Sequence, residues 1–96
     1  MTISVDVPAL IESGEPFPIT LSNDEVTTVD VTLTIKVVGK PRDFRSDNTP
    51  RAGSHVVRVG PLTARICTIS DWGGAPSKTL VEITANPGNT GTSTVT

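Results

Sequence analysis

Cys67 and His55 are the residues of this 96-residue chain best suited to nucleophilic chemistry, and each is the sole representative of its type. A thiolate nucleophile needs a base within hydrogen-bond reach. Both residues fall on or near stretches of alternating apolar and polar character, with no glycine-rich elbow to present the thiol or supply oxyanion donors. The expectation is that Cys67 packs as a small hydrophobe and that His55 lies at a strand edge. A single cysteine rules out an intrachain disulfide and gives a cysteine-based metal site little support. Asp24, Glu25, Asp43, Asp47 and Asp71 are the carboxylates that loops could gather around Ca²⁺, yet their spacing has no EF-hand or repeated DxD pattern and reads as turn chemistry. Phosphate cradles of the GxGxxG or Walker type are missing, and a chain this short has little room for a deep cleft. No enzyme activity, no cofactor and no metal are expected.

Binding features are better represented. The stretch "GKPRDFRSDNTPRAG", residues 39–53, concentrates Lys40, Arg42, Arg45 and Arg51 around Phe44. It is longer than an ordinary connection, as functional loops often are. The expected site is therefore a partner-binding one: Lys40, Arg42, Arg45 and Arg51 against an acidic protein surface, with Phe44 as apolar anchor. Trp72, in "SDWGGAP", completes the set, because tryptophan is enriched at interface hot spots and its glycine neighbours permit close backbone approach. The competing readings are a further edge strand within 39–53 and a Trp72 folded back to cap the domain.

Charge is distributed in blocks. Residues 1–35 hold Asp6, Glu12, Glu15, Asp24, Glu25 and Asp30 and no Lys or Arg. Residues 36–65 then carry Lys36, Lys40, Arg42, Arg45, Arg51, Arg58 and Arg65 against Asp43 and Asp47. Such blocks suit head-to-tail contacts between copies or docking on an oppositely charged neighbour, unless they intermix in space as ordinary solvated side chains. With a net charge of −2 and few aromatic residues for base stacking, nucleic acid is not an expected partner. No apolar run approaches membrane-spanning length, and "MTISVDVPALIESGEPF" has neither a basic n-region nor a long apolar h-region, so no membrane partner and no export signal are expected.

The elements that must position these side chains are strands. Ile3, Val5 and Val7 alternate with polar residues up to Pro8; Phe17, Ile19 and Leu21 do the same, with Pro18 placing that strand's start at an edge or outside the ladder. Val29, Val31, Leu33, Ile35 and Val37 form the longest alternating face, the mark of a half-buried antiparallel strand. "SHVVRVG" follows with Val57 and Val59 inward. "LTARICTIS" admits two registers, Leu62, Ala64 and Ile66 inward or Cys67 and Ile69 inward, and a bulge could serve both. "TLVEITA" places Val81, Ile83 and Ala85 inward, and the Gly/Thr-rich segment after Pro87 reads as a loose tail. Six strands are expected, with room for a seventh in 42–50. The domain division is a sandwich over 1–87 and a flexible C-terminal tail over 88–96.

Strands wet on one side and dry on the other must close face to face, which gives an all-β, two-sheet antiparallel sandwich. Through "PFPITLSND", "VDVTLTIKVVG", "ARICTIS" and "LVEITAN", the chain resembles the immunoglobulin-like superfamily over about residues 2–86. The antibody-type cysteine pair with a core tryptophan is absent. The pattern is similar to Ig-like modules of bacterial surface proteins and to small accessory domains on tailed-bacteriophage particles. That resemblance implies a non-enzymatic structural protein, foremost a decoration or cement protein on a bacteriophage capsid, contacting capsid subunits through loops and tail at the virion surface. It also implies a possible homo-oligomer, a trimer by analogy with capsid threefold positions. The alternative it implies is a spacer, adhesion or carbohydrate-binding module at a bacterial cell surface or outside the cell.

Overall fold

The computed structural model describes residues 2–96, and all of its regular structure is strand. In chain order the elements are β1 (Ile3–Asp6), β2 (Leu10–Ile11), β3 (Phe17–Asn23), β4 (Val29–Val37), β5 (Lys40–Arg42), β6 (Arg45–Ser46), β7 (His55–Val59), β8 (Thr63–Ser70), β9 (Leu80–Asn86) and β10 (Thr90–Val95). One sheet has the order β1-β3-β8-β6. The other runs β2-β10-β9-β4-β5, with β7 also paired to β4. The pairs are antiparallel except β2 with β10, which is parallel. The result is an all-β two-sheet sandwich, consistent with an immunoglobulin-like arrangement.

The alternating residues supply the core. Phe17, Ile19 and Leu21 of β3 face Val31, Leu33, Ile35 and Val37 of β4 and Val81 and Ile83 of β9, and all are buried. On β8 the inward pair is Cys67 and Ile69, while Ala64 and Ile66 lie outside. The register with β3 explains the choice: Ile19 is opposite Cys67 and Phe17 opposite Ile69, so inward residues of neighbouring strands coincide and no bulge is needed.

β3 is an interior strand, but Pro18, near its start, lies beyond the β1 register, outside that ladder as expected. Thr68, its partner on β8, spends its own N–H on Asp47 Oδ1 and its carbonyl on the Asp47 N–H, both pointing away from β3. The Pro18–Thr68 pair is therefore a non-hydrogen-bonded one, and the proline nitrogen faces the β1 side, where the register of β1 has already ended at Thr20. No ladder bond is lost.

The C-terminal segment expected to be loose is strand β10, inserted between β9 and β2. Ser93 and Val95 turn inward and are buried, while Thr90, Thr92 and Thr94 face outward. Ser93 Oγ donates to the Pro8 carbonyl at 2.7 Å, and the N–H groups of Thr94 and Thr96 donate to the carbonyls of Ala9 and Ile11. Gly91 is there for packing, since a Cβ on it would stand 2.8 Å from Val7 Cγ2. Asn89 closes the free edge of β1, accepting from the Val5 N–H at 2.7 Å.

Candidate functional site

The segment 39–53 changes sheet twice. β5 pairs with β4 in one sheet, β6 with β8 in the other, and β7 returns to β4. Between these short pairings Phe44 exchanges backbone hydrogen bonds with Ala52, closing a small loop over the open side of the sandwich. This brings the basic segment alongside the connection 71–79, so Arg42, Arg45, Arg51 and Trp72 do meet at one end of the molecule.

What they do there is internal. Trp72 is fully buried, packs edge-on against Phe17 with ring centroids 6.1 Å apart, and donates its indole N–H to the Glu15 carbonyl at 3.0 Å. Arg42 Nη1 donates to the carbonyls of Trp72 and Gly74, the former at 3.2 Å. Arg51 Nε donates to the Asp71 carbonyl at 2.8 Å, and Arg45 Nε pairs with Asp71 Oδ2 at 3.0 Å. Gly74 has φ +69, and a Cβ on it would lie 2.7 Å from Ser13 Oγ, so the loop closes this tightly only with glycine there. Three arginines thus hold one turn of backbone over a buried indole.

Phe44 is likewise fully buried and stacks edge-on with His55 at 4.6 Å. The expectation of Phe44 and Trp72 as exposed anchors for a partner is corrected by their burial. The reason is economy of core: the chain has three aromatic residues besides His55, and the sandwich uses all of them, Phe17, Phe44 and Trp72, to fill its interior. Lys40 remains exposed on β5, and Arg45 and Arg51 are half exposed but already engaged.

His55 opens β7, a strand that pairs only with β4, and at that strand edge its side chain is buried. Its Nε2 meets the Phe44 carbonyl at 2.7 Å, so that nitrogen carries the hydrogen, and Nδ1 meets Thr49 Oγ1 at 3.1 Å. Both ring nitrogens are therefore spoken for by the segment 44–49 and neither bonds the thiol. Cys67 is buried on β8, and desolvation, reinforced by the Asp47 charge, pushes its thiol pKa up, opposite to what a nucleophile requires. Among the described residues no three His, Cys, Asp or Glu side chains gather closely enough to hold a metal ion. Of the loop carboxylates, Asp43, Asp47 and Asp71 are instead partnered by Arg51, Arg65 and Arg45. A shallow hollow of about 400 Å³ lies beside the arginine clamp, lined by Gly14, Arg51, Asp71 and Gly73. Its two charged side chains are the ones already engaged in the clamp.

The basic block does intermix with acid in space. Each of the five arginines has a partner: Arg58 binds Asp30 at 3.1 Å, which raises the arginine pKa further, and Arg65 reaches Asp47 and the Arg58 carbonyl. Sequence reasoning missed Asn23, fully enclosed at the opposite end. Its Nδ2 donates to the carbonyls of Thr27, Val59 and Gly60, and its Oδ1 accepts from the Glu25 N–H. The signal was present as an Asn within an alternating strand at an inward position. Comparison of the sequence with protein-family models and with curated proteins finds no match.

Proposed function

We propose that this chain is a non-enzymatic structural sandwich of immunoglobulin-like type that acts by contacting other protein surfaces, in its most specific form as a decoration protein on a virion such as a bacteriophage capsid. The observation that carries the reading is a contrast of exposure. The side chains suited to chemistry, Cys67 and His55, are buried, whereas Leu10, Val26, Val38, Val56, Leu62, Ile66 and Leu80 are all more than half exposed. Single exposed apolar side chains are ordinary, but seven on a domain this small leave apolar area for partners on several sides. The contacts in this reading come from exposed turns and sheet faces. The segment 90–96 belongs to the scaffold, and charge reversal at Arg42 would test folding rather than docking. Co-sedimentation with purified capsids from the same source, and a rise in capsid heat resistance on addition, are the expected results; no binding to any such particle removes the virion form.

A second context is a spacer module, which the elongated shape of the sandwich, 41 Å long and 25 by 19 Å across, would suit. Small-angle scattering of two linked copies separates the contexts, an extended rod supporting the spacer.

A further inference from the structure

Strand β8 is guarded along only part of its outer edge. On one side it pairs with β3 from Thr63 to Ile69. On the other, β6 covers Ile69 and Ser70, and Asp47 covers Thr68 by donating its N–H to the Thr68 carbonyl and accepting the Thr68 N–H at its carboxylate. Thr68 thus turns its backbone groups away from β3, and the two-residue repeat turns those of Ile66 and Ala64 the same way. The Leu62 carbonyl joins them, because across one trans peptide it points opposite to the Thr63 N–H, which faces β3. Among the described residues no hydrogen bond reaches that carbonyl or the N–H and carbonyl of Ala64 and Ile66.

Sheet edges are ordinarily blunted by lysine, proline, a bulge or a cover. The free side of β1 has such a cover, the Asn89 amide serving both the N–H and the carbonyl of Val5. The stretch from Thr63 to Cys67 has no lysine or proline, and its register with β3 has no bulge. Its one charge, Arg65, is held back against the Arg58 carbonyl and Asp47. Ala64 and Ile66 lie on the outer face, Ile66 being 69 % exposed, and the 68 % exposed Leu62 comes just before them. Alternating backbone donors and acceptors beside apolar side chains take an extended strand as their occupant.

The β8 strand of a second copy fits this edge in one antiparallel register. Ile66 opposite Ile66 would drive Ala64 onto the Thr68 groups that Asp47 already holds. Ala64 opposite Ile66 would bring Arg65 against Arg65, like charges directly across. Ala64 opposite Ala64 does neither. Arg65 then lies across from Thr63, Ile66 from Leu62, and the capped Thr68 from Gly60, where the other chain is still in the turn that follows β7. The bare stretch on one copy thus ends where the strand of the other has not yet begun, a match of length that singles out this chain as the occupant.

We propose that two copies of this chain pair β8 to β8 about a two-fold axis, Ala64 opposite Ala64, so that their four-stranded sheets run on as one. The Ala64 N–H of each copy donates to the Ala64 carbonyl of the other, and the Ile66 N–H to the Leu62 carbonyl. The pairing belongs to the chain itself and is the same in a capsid or a spacer setting. Its seam is narrow, which makes it weak in dilute solution and effective where copies are held near one another.

Sedimentation across a micromolar to millimolar series, with amide hydrogen exchange on the same samples, tests it. The weight-average mass should rise to a plateau at two copies and change little with salt, because backbone and apolar contacts carry the seam. Exchange at Ala64 and Ile66 should slow about tenfold or more as concentration rises, while Arg65 and Cys67, already bonded to β3, stay as they were. Ala64→Pro removes a donor that serves no ladder within the chain. It should melt as wild type at low concentration and dimerise about tenfold or more weakly, a combination that loss of folding cannot mimic. Ile66→Lys, which places a charge on the seam, should do the same. A chain monomeric at every concentration, a plateau at three copies, slowed exchange that does not alternate along β8, or an Ala64→Pro variant that dimerises as wild type would overturn the proposal.

Discussion

Arg42 Nη1 donates to the carbonyl oxygens of Trp72 and Gly74 at once, tying the basic segment to the backbone on both sides of Gly73. This contact reverses the sense of the segment's charge. Trp72 can fill the end of the core only if the chain turns sharply around it, and a sharp turn leaves carbonyls without strand partners. A guanidinium, with its fixed fork of donors, is the side chain able to satisfy several at once. Arg45 and Arg51 then fix Asp71, the residue before the indole, through its carboxylate and its carbonyl. The ion pair itself is half exposed and adds little, so the hydrogen bonds to backbone are the part that matters.

Replacing Arg42 by Met keeps much of the volume and removes every donor. The carbonyls of Trp72 and Gly74 then lose a partner in a partly buried site, and stability should fall by about 1–3 kcal/mol. Arg42→Lys should recover only part of this, because one ammonium cannot reproduce the fork. Urea denaturation followed by the emission of Trp72, the sole tryptophan, measures both. A Met variant as stable as wild type would mean the turn holds itself.

Asn23 organises the other end by a similar economy, one amide serving three carbonyls and one N–H. Asn23→Asp is nearly isosteric but exchanges a donor for a charged acceptor facing Thr27, Val59 and Gly60 oxygens. It should destabilise by about 3 kcal/mol or more, exceeding the effect of Asn23→Ala, which leaves those carbonyls and the Glu25 N–H unpaired without adding a charge. The rank order of midpoints in chemical denaturation decides it. If Ala is the worse of the two, volume rather than donor chemistry is what the site needs.

Period-two alternation made the sheets legible, since one buried face per strand dictates it, and Val29–Val37 or Leu80–Asn86 could hardly be read otherwise. Pairing partners were less accessible: β5 and β6 are two or three residues long and are set by their neighbours β4 and β8, not by their own pattern. Segment 90–95 was misread because composition outweighed alternation. "TSTV" places Ser93 and Val95 on one face, and threonine is a good strand former. The burial of Phe44 and Trp72 was hidden for a different reason. A cluster of arginines with an aromatic residue looks the same in sequence whether it faces a partner or its own chain. Only the contacts of Arg42, Phe44 and Trp72 distinguish the two.

Cys67 carries a pH dependence with a definite sign. Burial, with Asp47 nearby, raises the thiol pKa in the folded state, so the unfolded chain releases that proton first as pH rises past the ordinary thiol value of about 8.5. In that window the unfolded state binds fewer protons than the native one, and unfolding free energy falls with pH until the native thiol also ionises. The chain has no tyrosine to obscure the effect. Stability measured across the alkaline range should decline more steeply for wild type than for Cys67→Val. Parallel curves would show that the thiol stays protonated equally in both states.

Strand β10 gives the clearest division between scaffold and appendage. Removing residues 90–96 would strip β9 of one of its two partners, leave the Pro8 carbonyl without the Ser93 hydroxyl and take the buried Val95 from the core. An interior strand lost in this way should abolish cooperative unfolding rather than lower its midpoint slightly, and Val95→Asp, burying an unpaired carboxylate, should destabilise by about 3 kcal/mol or more in the full-length chain. Amide hydrogen exchange gives a test without mutation. The N–H groups of Thr94, Val95 and Thr96, bonded to the carbonyls of Ala9, Thr79 and Ile11, should exchange as slowly as those of the flanking β9. Rapid exchange there, together with an undiminished melting temperature after truncation, would return the segment to the status of a tail and leave β9 as the sheet's true edge.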